Sequence, residues 1–146
     1  MATLSPPETT QHVVLLLDRE QYAVPINSVR EIVRWREPRP MPGQPRHVQG
    51  AVDLRGEVVM VVDLRERLGS PGAPGANQDI VVLDLPGREP VGLTVDGVSE
   101  VLQAGEGEYR PAPSAVGCGD YVSGVLVLGD RLVVLLDLET LLDSAV

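Results

Sequence analysis

The side chains best suited to catalysis or metal binding are few in this chain. It has one cysteine, Cys118, and two histidines, His12 and His47. Zinc-type sites draw on several Cys and His side chains at short spacings, so no such ligand set can be assembled here. A Cys–His nucleophile pair is the best enzymatic alternative, but Cys118 lies between two glycines with no activating neighbour in sequence. We therefore expect no enzymatic activity, no metal and no cofactor.

Arg55 is the charged residue that a purely structural role in its hairpin explains least well. It lies beside Gly56 in the bend between two apolar, strand-like runs. The segment 50–68 recurs, without a gap, as the segment 124–142, and the counterpart of Arg55 is Gly129. The hairpin can therefore be built without an arginine, so Arg55 is free for another role. Identical residues stand at positions 50 and 124, 54 and 128, 59 and 133, 63 and 137, 64 and 138, and 68 and 142.

We expect Glu31 to form an ion pair with Arg55. Apolar residues flank Glu31 in the sequence. An exposed ion pair alone is worth about 0–1 kcal/mol. Ile26, Val29 and Ile32 recur at helical spacing and are either core residues or the lining of an apolar groove beside the pair. An apolar groove with a charged rim is the usual anatomy of a protein–protein site.

The net charge of −9 argues against several classes of partner. Sequence-independent binding to DNA, RNA or an anionic membrane needs a basic surface. The longest apolar runs, such as 13–17 and 58–62, are strand-sized and too short to span a membrane. The N-terminal segment carries no basic region followed by an apolar stretch. We therefore expect a cytoplasmic protein.

The elements that would position these residues are mostly short strands. Val and Leu dominate the apolar residues, and 15 Gly and 13 Pro supply turns. Asp63 and Asp137 each end a hairpin and are placed to cap a helix. In chain order we expect strands at 12–17 and 22–24, a short helical turn over 26–33, a Pro-rich loop at 37–46, the first repeated hairpin, a linker at 69–76, a hairpin at 80–95, a long loop at 103–120 that contains Cys118, and the second repeated hairpin.

Five short motifs stand, in this order, at 53–56, 62–65, 91–98, 110–113 and 128–131, and the first of them reads Asp-Leu-Arg-Gly. In order and spacing they resemble the motifs of the CheW-type coupling proteins of bacterial chemotaxis-like systems, in which the first motif is Asn-Leu-Arg-Gly. The resemblance extends over roughly residues 12 to 142.

The resemblance implies an all-β fold of two SH3-like five-stranded β-barrel subdomains that share an apolar seam, with short helices including one at the C-terminus. It implies a single domain over 12–146, after a disordered lead at 1–11. The first barrel would span about 12–69, with the helix 138–146 packing back on it, and the second about 79–137. The duplicated hairpin agrees with two related halves.

The function that the resemblance implies is that of a non-enzymatic adaptor at receptor clusters. It would join the cytoplasmic tip of methyl-accepting chemoreceptors to the regulatory domain of a CheA-type histidine kinase. The receptor offers a helical hairpin tip, so recognition would place a helix in a groove. By resemblance the receptor-binding residues are Val13, Ile26, Val29, Glu31, Ile32, Arg55, Gly56 and Val98. The kinase-binding residues are Asp79, Ile80, Val81, Val82 and Leu83.

Two departures from the family pattern keep alternatives open. Asp53 replaces the usual Asn and could pair with Arg55, which would weaken an outward contact. Asp79 lies where the family's strand often begins with apolar residues, and a desolvated charge there would cost affinity. One alternative is a divergent adaptor that binds receptor but not kinase. The other is a peptide- or ligand-binding barrel module of another signalling system.

Overall fold

Short β-strands make up most of the described part of the chain. The structure, a computed structural model, describes residues 9–69, 77–105, 108–111 and 121–143. The part of the expected linker at 70–76, the part of the long loop that holds Cys118, and residues 144–146 of the expected C-terminal helix lie outside the described residues. None of the described helices is long and apolar enough to cross a membrane. In chain order the elements are β1 (Thr9–Leu17), β2 (Glu20–Pro25), a 3-10 helix (Ile26–Ser28), β3 (Val29–Arg34), β4 (Val48–Leu54), β5 (Glu57–Asp63), α1 (Leu64–Leu68), β6 (Asp79–Leu83), β7 (Val91–Val95), β8 (Gly97–Gly105), β9 (Tyr109–Pro111), β10 (Val122–Leu128), β11 (Arg131–Leu136) and α2 (Leu138–Asp143).

The strands form two sheets. Sheet A has six strands in the order β8-β1-β2-β11-β10-β9, and sheet B has five in the order β3-β6-β7-β5-β4. Neighbouring strands are antiparallel except for β11 with β2 and β5 with β7. The prediction of an all-β fold with few short helices is confirmed. Each sheet draws strands from both sides of the expected linker, so the sheets do not divide there, and the limits of the two barrels stay a prediction.

The chain that follows β3 meets the far edge of sheet B. Arg39 and Ala51 of β4 exchange backbone hydrogen bonds of 2.8 and 2.9 Å. Gly50 permits this approach, because a Cβ atom there would lie 2.0 Å from the carbonyl oxygen of Arg39. A φ of +143° at Gly50 is also a conformation that other residues rarely adopt. The bridge covers part of a strand edge that would otherwise be exposed.

An apolar seam joins the two sheets, as predicted. Both sheets and α2 contribute buried side chains to one continuous cluster. Fully burying a Val or Leu side chain contributes about 1.5–3 kcal/mol, so this cluster is the main source of cohesion between the sheets. Its members include Leu15, Leu17 and Val24 from sheet A, Val62, Val81 and Leu93 from sheet B, and Leu138, Leu141 and Leu142 from α2.

Two stretches differ from the expected elements. Only Ile26–Ser28 is helical within 26–33, and Val29–Arg34 is strand β3 instead. The β-branched residues of this stretch favour extended backbone, and β6 supplies a strand edge to pair with. Strand β1 begins at Thr9, inside the lead expected to be disordered, because its backbone pairs with β8 as far as Gly105.

Two aspartates begin the two short helices, as the sequence predicts. Asp63 accepts a hydrogen bond from the backbone N–H of Arg65 at 3.0 Å. Asp137 accepts one from the backbone N–H of Thr140 at 3.3 Å. Gly69, with a φ of 67°, ends α1 in the left-handed conformation typical of helix ends. The repeated segments therefore share a helix start as well as a hairpin.

Two arginines tie α2 to elements around sheet B. Arg67 of α1 donates through Nε to the carbonyl oxygen of Leu141 at 2.8 Å. Arg88, between β6 and β7, donates through Nη1 to the carbonyl oxygen of Leu142 at 3.3 Å. The last carbonyls of a helix lack partners within it and favour positive charge. Helix α2 therefore packs towards sheet B although it follows a strand of sheet A.

Arg65, Asp18 and Asp96 form a partly buried ionic group that we call the Arg65 cluster. Arg65 Nη1 lies 2.5 Å from Asp18 Oδ2 in the β1–β2 turn, and Nη2 lies 2.5 Å from Asp96 Oδ2 between β7 and β8. The side chain of Arg65 is 7% exposed. The backbone N–H of Asp18 also donates to Asp96 Oδ2 at 2.7 Å. Because β1 and β2 belong to sheet A and α1 follows a strand of sheet B, the cluster fastens the sheets together.

Candidate functional site at the junction of the two sheets

The turn between β4 and β5 presents Arg55 and Gly56. Strand pairing ends at Leu54 and Glu57, so these two residues form the loop, with φ of 52° and 89°. Positive φ at both central residues defines a type I′ turn, which suits the twist of the paired strands. Glycine adopts such angles freely, whereas arginine is strained in them by about 1–2 kcal/mol. In the repeated hairpin the equivalent position is Gly129, with a φ of 62°.

The predicted contact between Arg55 and Glu31 is present. Arg55 donates through Nη2 to Glu31 Oε2. The side chain of Arg55 is 72% exposed and that of Glu31 is 24% exposed. Asp53 does not compete for Arg55, since its Oδ1 accepts the backbone N–H of Gly56 at 2.7 Å and so supports the turn. The guanidinium of Arg55 therefore stays at the surface.

A second charged group, formed by Arg30, Glu57 and Asp84, lies on the other side of this turn and was not predicted from the sequence. Arg30 Nη1 donates to Glu57 Oε1 at 2.7 Å, and Arg30 Nη2 donates to Asp84 Oδ2 at 3.1 Å. These two carboxylates, Glu57 first, raise the pKa of Arg30 above its usual value. Nothing in the spacing of these residues indicates the contact, because they belong to three separate elements.

The apolar residues predicted to line the groove fall into two groups. Val13, Val29 and Val98 pack against the seam between the sheets. Ile26 and Ile32 stay 38% and 43% exposed. Of the three residues for which core packing was an alternative, Val29 packs against the seam, whereas Ile26 and Ile32 present apolar surface.

Val101 of β8 is another exposed apolar side chain, and it was not among the predicted site residues. It is 50% exposed and pairs with Val13 across β8 and β1. Residues directly opposite one another share a sheet face, so Val101 lies on the same face as Val13. A bulge in this pairing also sets Val98 opposite Leu15. Val98 and Val101 therefore share a face although they are three residues apart, which strand alternation does not predict.

The strand predicted to face the kinase is an interior strand of sheet B. Strand β6 lies between β3 and β7, and the side chains of residues 80–83 are at most 1% exposed. These four side chains fill the core and do not reach the surface. Asp79 is 23% exposed, and Arg34 Nε lies 4.0 Å from its Oδ1. Kinase binding stays a prediction, and the side chains of 80–83 are not where a partner would touch.

The chemistry of this site is recognition by charge and apolar contact. In the part of the chain that the structure describes, no group of three or more His, Cys, Asp or Glu residues is placed to hold a metal ion. The site instead combines two ion-paired arginines, Arg30 and Arg55, with the exposed Ile26 and Ile32. Interfaces enrich Arg and apolar side chains in this way.

Comparison with known proteins places this arrangement in a family. The profile of the CheW-like domain matches residues 11–146, which is nearly the whole chain. The chain belongs to the CheW family.

Relatives and a solved structure agree with this assignment. The chain is 32% identical over 136 residues to the chemotaxis protein CheW of Klebsiella aerogenes, covering 92% of this chain and 82% of that protein. It is 35% identical over 125 residues to the probable chemotaxis protein CheW of Rhizobium etli, covering 84% of this chain and 80% of that protein. The crystal structure of the scaffolding protein TtCheW from Thermoanaerobacter tengcongensis superposes with a TM-score of 0.85 at 27% identity, covering 92% of each chain. The predicted family and its class, a chemotaxis adaptor, are confirmed.

Proposed function

We propose that this CheW-family adaptor couples chemoreceptor tips to a CheA-type histidine kinase and catalyses no reaction. The observation that carries the receptor half of the proposal is Arg55, a 72% exposed arginine in a left-handed turn where the repeated hairpin has glycine. Such strain persists where the surrounding structure imposes it, and it is found often at binding sites. An exposed ion pair with Glu31 adds too little stability to account for an arginine there.

The receptor partner that fits this surface is a helical hairpin tip. Helix-in-groove recognition uses apolar side chains spaced three or four residues apart on one helix face. The exposed Ile26, Ile32 and Val101 offer aliphatic contacts to such a face. Arg55 would donate to a carboxylate or to a carbonyl at a helix end, both of which favour a positive charge.

For the kinase, we propose binding of its regulatory domain at a surface separate from the Arg55 turn. The family membership supports this half of the proposal. A version of the adaptor that binds receptor alone is not favoured, because the charge of Asp79 that motivated it lies near Arg34 and next to a buried strand. Receptor signals would then reach the kinase through a change in how its domains are held, at receptor clusters on the cytoplasmic side.

The deciding experiment reverses the charge at the turn. Arg55→Glu should weaken binding to a receptor cytoplasmic fragment by tenfold or more, because Glu31 would then face a like charge and the tip would lose its donor. The matched control is Arg131→Glu in the repeated hairpin, where Arg131 forms a similar surface pair with Glu100 at 2.5 Å. The control should keep wild-type affinity. Wild-type binding by Arg55→Glu would show that the site lies elsewhere.

The second partner is tested in the same assay. The purified protein is presented separately to a receptor fragment and to a kinase regulatory domain, with affinities measured by calorimetry. Binding to both supports coupling. Binding to the receptor alone would favour the divergent adaptor, and binding to neither would reject the proposed function while leaving the family assignment intact.

A further inference from the structure

Strand β3 contains a bulge at Arg30. Val29 pairs with Leu83 and Glu31 pairs with Val82, so Arg30 is an extra residue on its strand. In a regular strand, neighbouring side chains point to opposite faces of the sheet. Here Arg30 and Glu31 both reach the turn between β4 and β5, since a bulge re-aims a side chain.

The two side chains bind opposite charges on either side of Gly56. Glu31 accepts a hydrogen bond from Arg55, which precedes the glycine. Arg30 donates to Glu57, which follows the glycine, at 2.7 Å. The turn is thus held by two ion pairs. In one the arginine belongs to the turn, and in the other it belongs to β3. Together they limit the movement of the turn relative to β3.

The same guanidinium connects this turn to the 3-10 helix. Arg30 Nε and Nη2 lie 3.3 and 3.1 Å from Asp84 Oδ2. The backbone N–H of Asp84 donates to the carbonyl oxygen of Ser28 at 2.8 Å, and Ser28 ends the helix that begins with Ile26. Arg30 therefore links the element that carries Arg55 with the element that carries Ile26.

An arginine at position 30 suits the alignment of the turn with the 3-10 helix better than it suits stabilisation of the fold. The side chain of Arg30 is 34% exposed, and those of Glu57 and Asp84 are each 48% exposed, so the ion pairs contribute little to folding. A planar guanidinium has five donors in a fixed fork and binds two carboxylates at once in a defined geometry. Lysine has the same charge but no such fork.

We propose that Arg30 is a positioning residue of the receptor site: it holds the β4–β5 turn through Glu57 and aligns it with the 3-10 helix through Asp84, without touching the receptor. This inference rests on the proposed receptor binding and names how the polar and apolar parts of that site are aligned. Loss of Arg30 leaves Arg55 and Ile26 in the protein but lets their separation vary, which lowers affinity through lost preorganisation.

A thermodynamic cycle tests the proposal with the receptor cytoplasmic fragment. Arg30→Gln and Glu57→Gln should each weaken binding by about threefold to tenfold, and the double variant should lose no more than Arg30→Gln alone, because Glu57 acts on the turn through Arg30. Arg30→Lys should recover only part of the affinity. Additive losses, or a loss for Arg30→Gln with wild-type binding by Glu57→Gln, would mean that Arg30 contacts the receptor itself and would overturn the proposal.

A measurement on the free protein separates this inference from the function on which it rests. Backbone ¹⁵N relaxation at Gly56 should report increased fast motion in Arg30→Gln and in Glu57→Gln, with the melting temperature unchanged. Arg131→Gln, in the repeated hairpin, should leave Gly56 as in the wild type. An unchanged Gly56 in the first two variants would overturn the proposal. A wild-type protein that binds no receptor fragment would reject the receptor function and this role with it, and the Gly56 signal would still decide whether Arg30 holds the turn.

Discussion

Asp18 and Arg55 both lie in strained turns, but Asp18 binds the buried Arg65, whereas Arg55 forms its ion pair at the surface. Among the described residues, Asp18 and Arg55 are the two non-glycine positions with positive φ, at 54° and 52°. Asp18 lies in the Arg65 cluster, where its backbone N–H binds Asp96 at 2.7 Å and its carboxylate binds Arg65 at 2.5 Å. Arg55 lies at the surface and donates to Glu31.

The difference separates a contact that serves folding from one that serves binding. The side chain of Arg65 is 7% exposed and that of Arg55 is 72% exposed. A buried charge pair is costly to break, whereas an exposed pair contributes about 0–1 kcal/mol. The strain at Asp18 is therefore offset inside the protein. The strain at Arg55 has little intramolecular compensation, which fits a role in recognition.

Removal of the buried guanidinium should have the largest effect. Arg65→Met leaves Asp96, which is 13% exposed, without its cationic partner. We expect the free energy of unfolding to fall by about 3 kcal/mol or more, as for other broken buried pairs. Urea denaturation followed by circular dichroism measures this. Arg19→Met, an exposed position in the β1–β2 turn, is the control and should stay within about 0.5 kcal/mol of the wild type. Equal stabilities for both variants would contradict the role assigned to the Arg65 cluster.

Substitution of the exposed Arg55 should lower receptor affinity and leave the stability of the fold intact. Arg55→Gly places the residue found in the repeated hairpin at this turn. It should weaken receptor binding by about tenfold, equivalent to 1.4 kcal/mol. The free energy of unfolding should stay the same or rise by up to about 1 kcal/mol, because glycine relieves the strain but gains freedom in the unfolded chain. A marked loss of stability would mean that Arg55 is a structural residue.

Asp18→Gly makes the same backbone change at a turn whose carboxylate binds the buried Arg65, and so sharpens the comparison. It relieves a similar strain but removes the carboxylate that binds Arg65. We expect a net loss of about 1 kcal/mol in unfolding free energy, since a hydrogen bond to a charged group is worth about 1.5–3 kcal/mol. Receptor affinity of the folded protein should be unchanged. If Asp18→Gly and Arg55→Gly shift stability and affinity alike, the buried partner Arg65 is not what distinguishes the two turns.

The parts of the site that the sequence predicts are those with local or repeated signals. The repeat singles out Arg55, because the equivalent hairpin has Gly129 in place of arginine. The strand β3 was missed because of the bulge at Arg30. Val29 and Ile32 pair with Leu83 and Val81, which share a face, so a bulged strand places residues three apart on one side and imitates helical spacing.

The strand predicted to face the kinase shows a different limit on what the sequence can predict. A continuous apolar run indicates a strand buried on both faces, and the strand predicted at 12–17 lies within β1, where most of these side chains are buried. The same rule applies to residues 80–83, which lie in the interior of sheet B. The family resemblance suggested a surface role there, whereas the apolar pattern alone indicates core. Contacts such as Arg30 with Glu57 and Asp84 join three elements and leave no pattern in the sequence.

The smallest expected effect is the dependence of stability on pH, and we expect it to come from His47 and not from the two arginine groups. Both Arg30 and Arg65 have a pKa raised by neighbouring carboxylates, so their charges persist at neutral and acidic pH. His47 differs, because burial lowers its pKa below the ordinary 6.5 and the nearby Arg67 lowers it further, with Glu66 acting in the opposite sense. Its Nε2 atom is buried and has no hydrogen-bond partner within the described residues.

The sign of the pH effect follows from proton binding. Below about pH 6.5 the unfolded chain protonates His47 more readily than the folded protein does, so the free energy of unfolding falls as the pH falls. One proton limits the slope to about 1.4 kcal/mol per pH unit. Urea denaturation between pH 8 and pH 5 should therefore give parallel curves for the wild type and His47→Gln above pH 7, and a steeper decline for the wild type below it. Any pH dependence of receptor affinity should be the same in both proteins, because His47 precedes β4, at the opposite end of that strand from the Arg55 turn. A wild-type slope retained in His47→Gln would assign the acid response to another group, and a slope in affinity that disappears with His47 would connect the two sites.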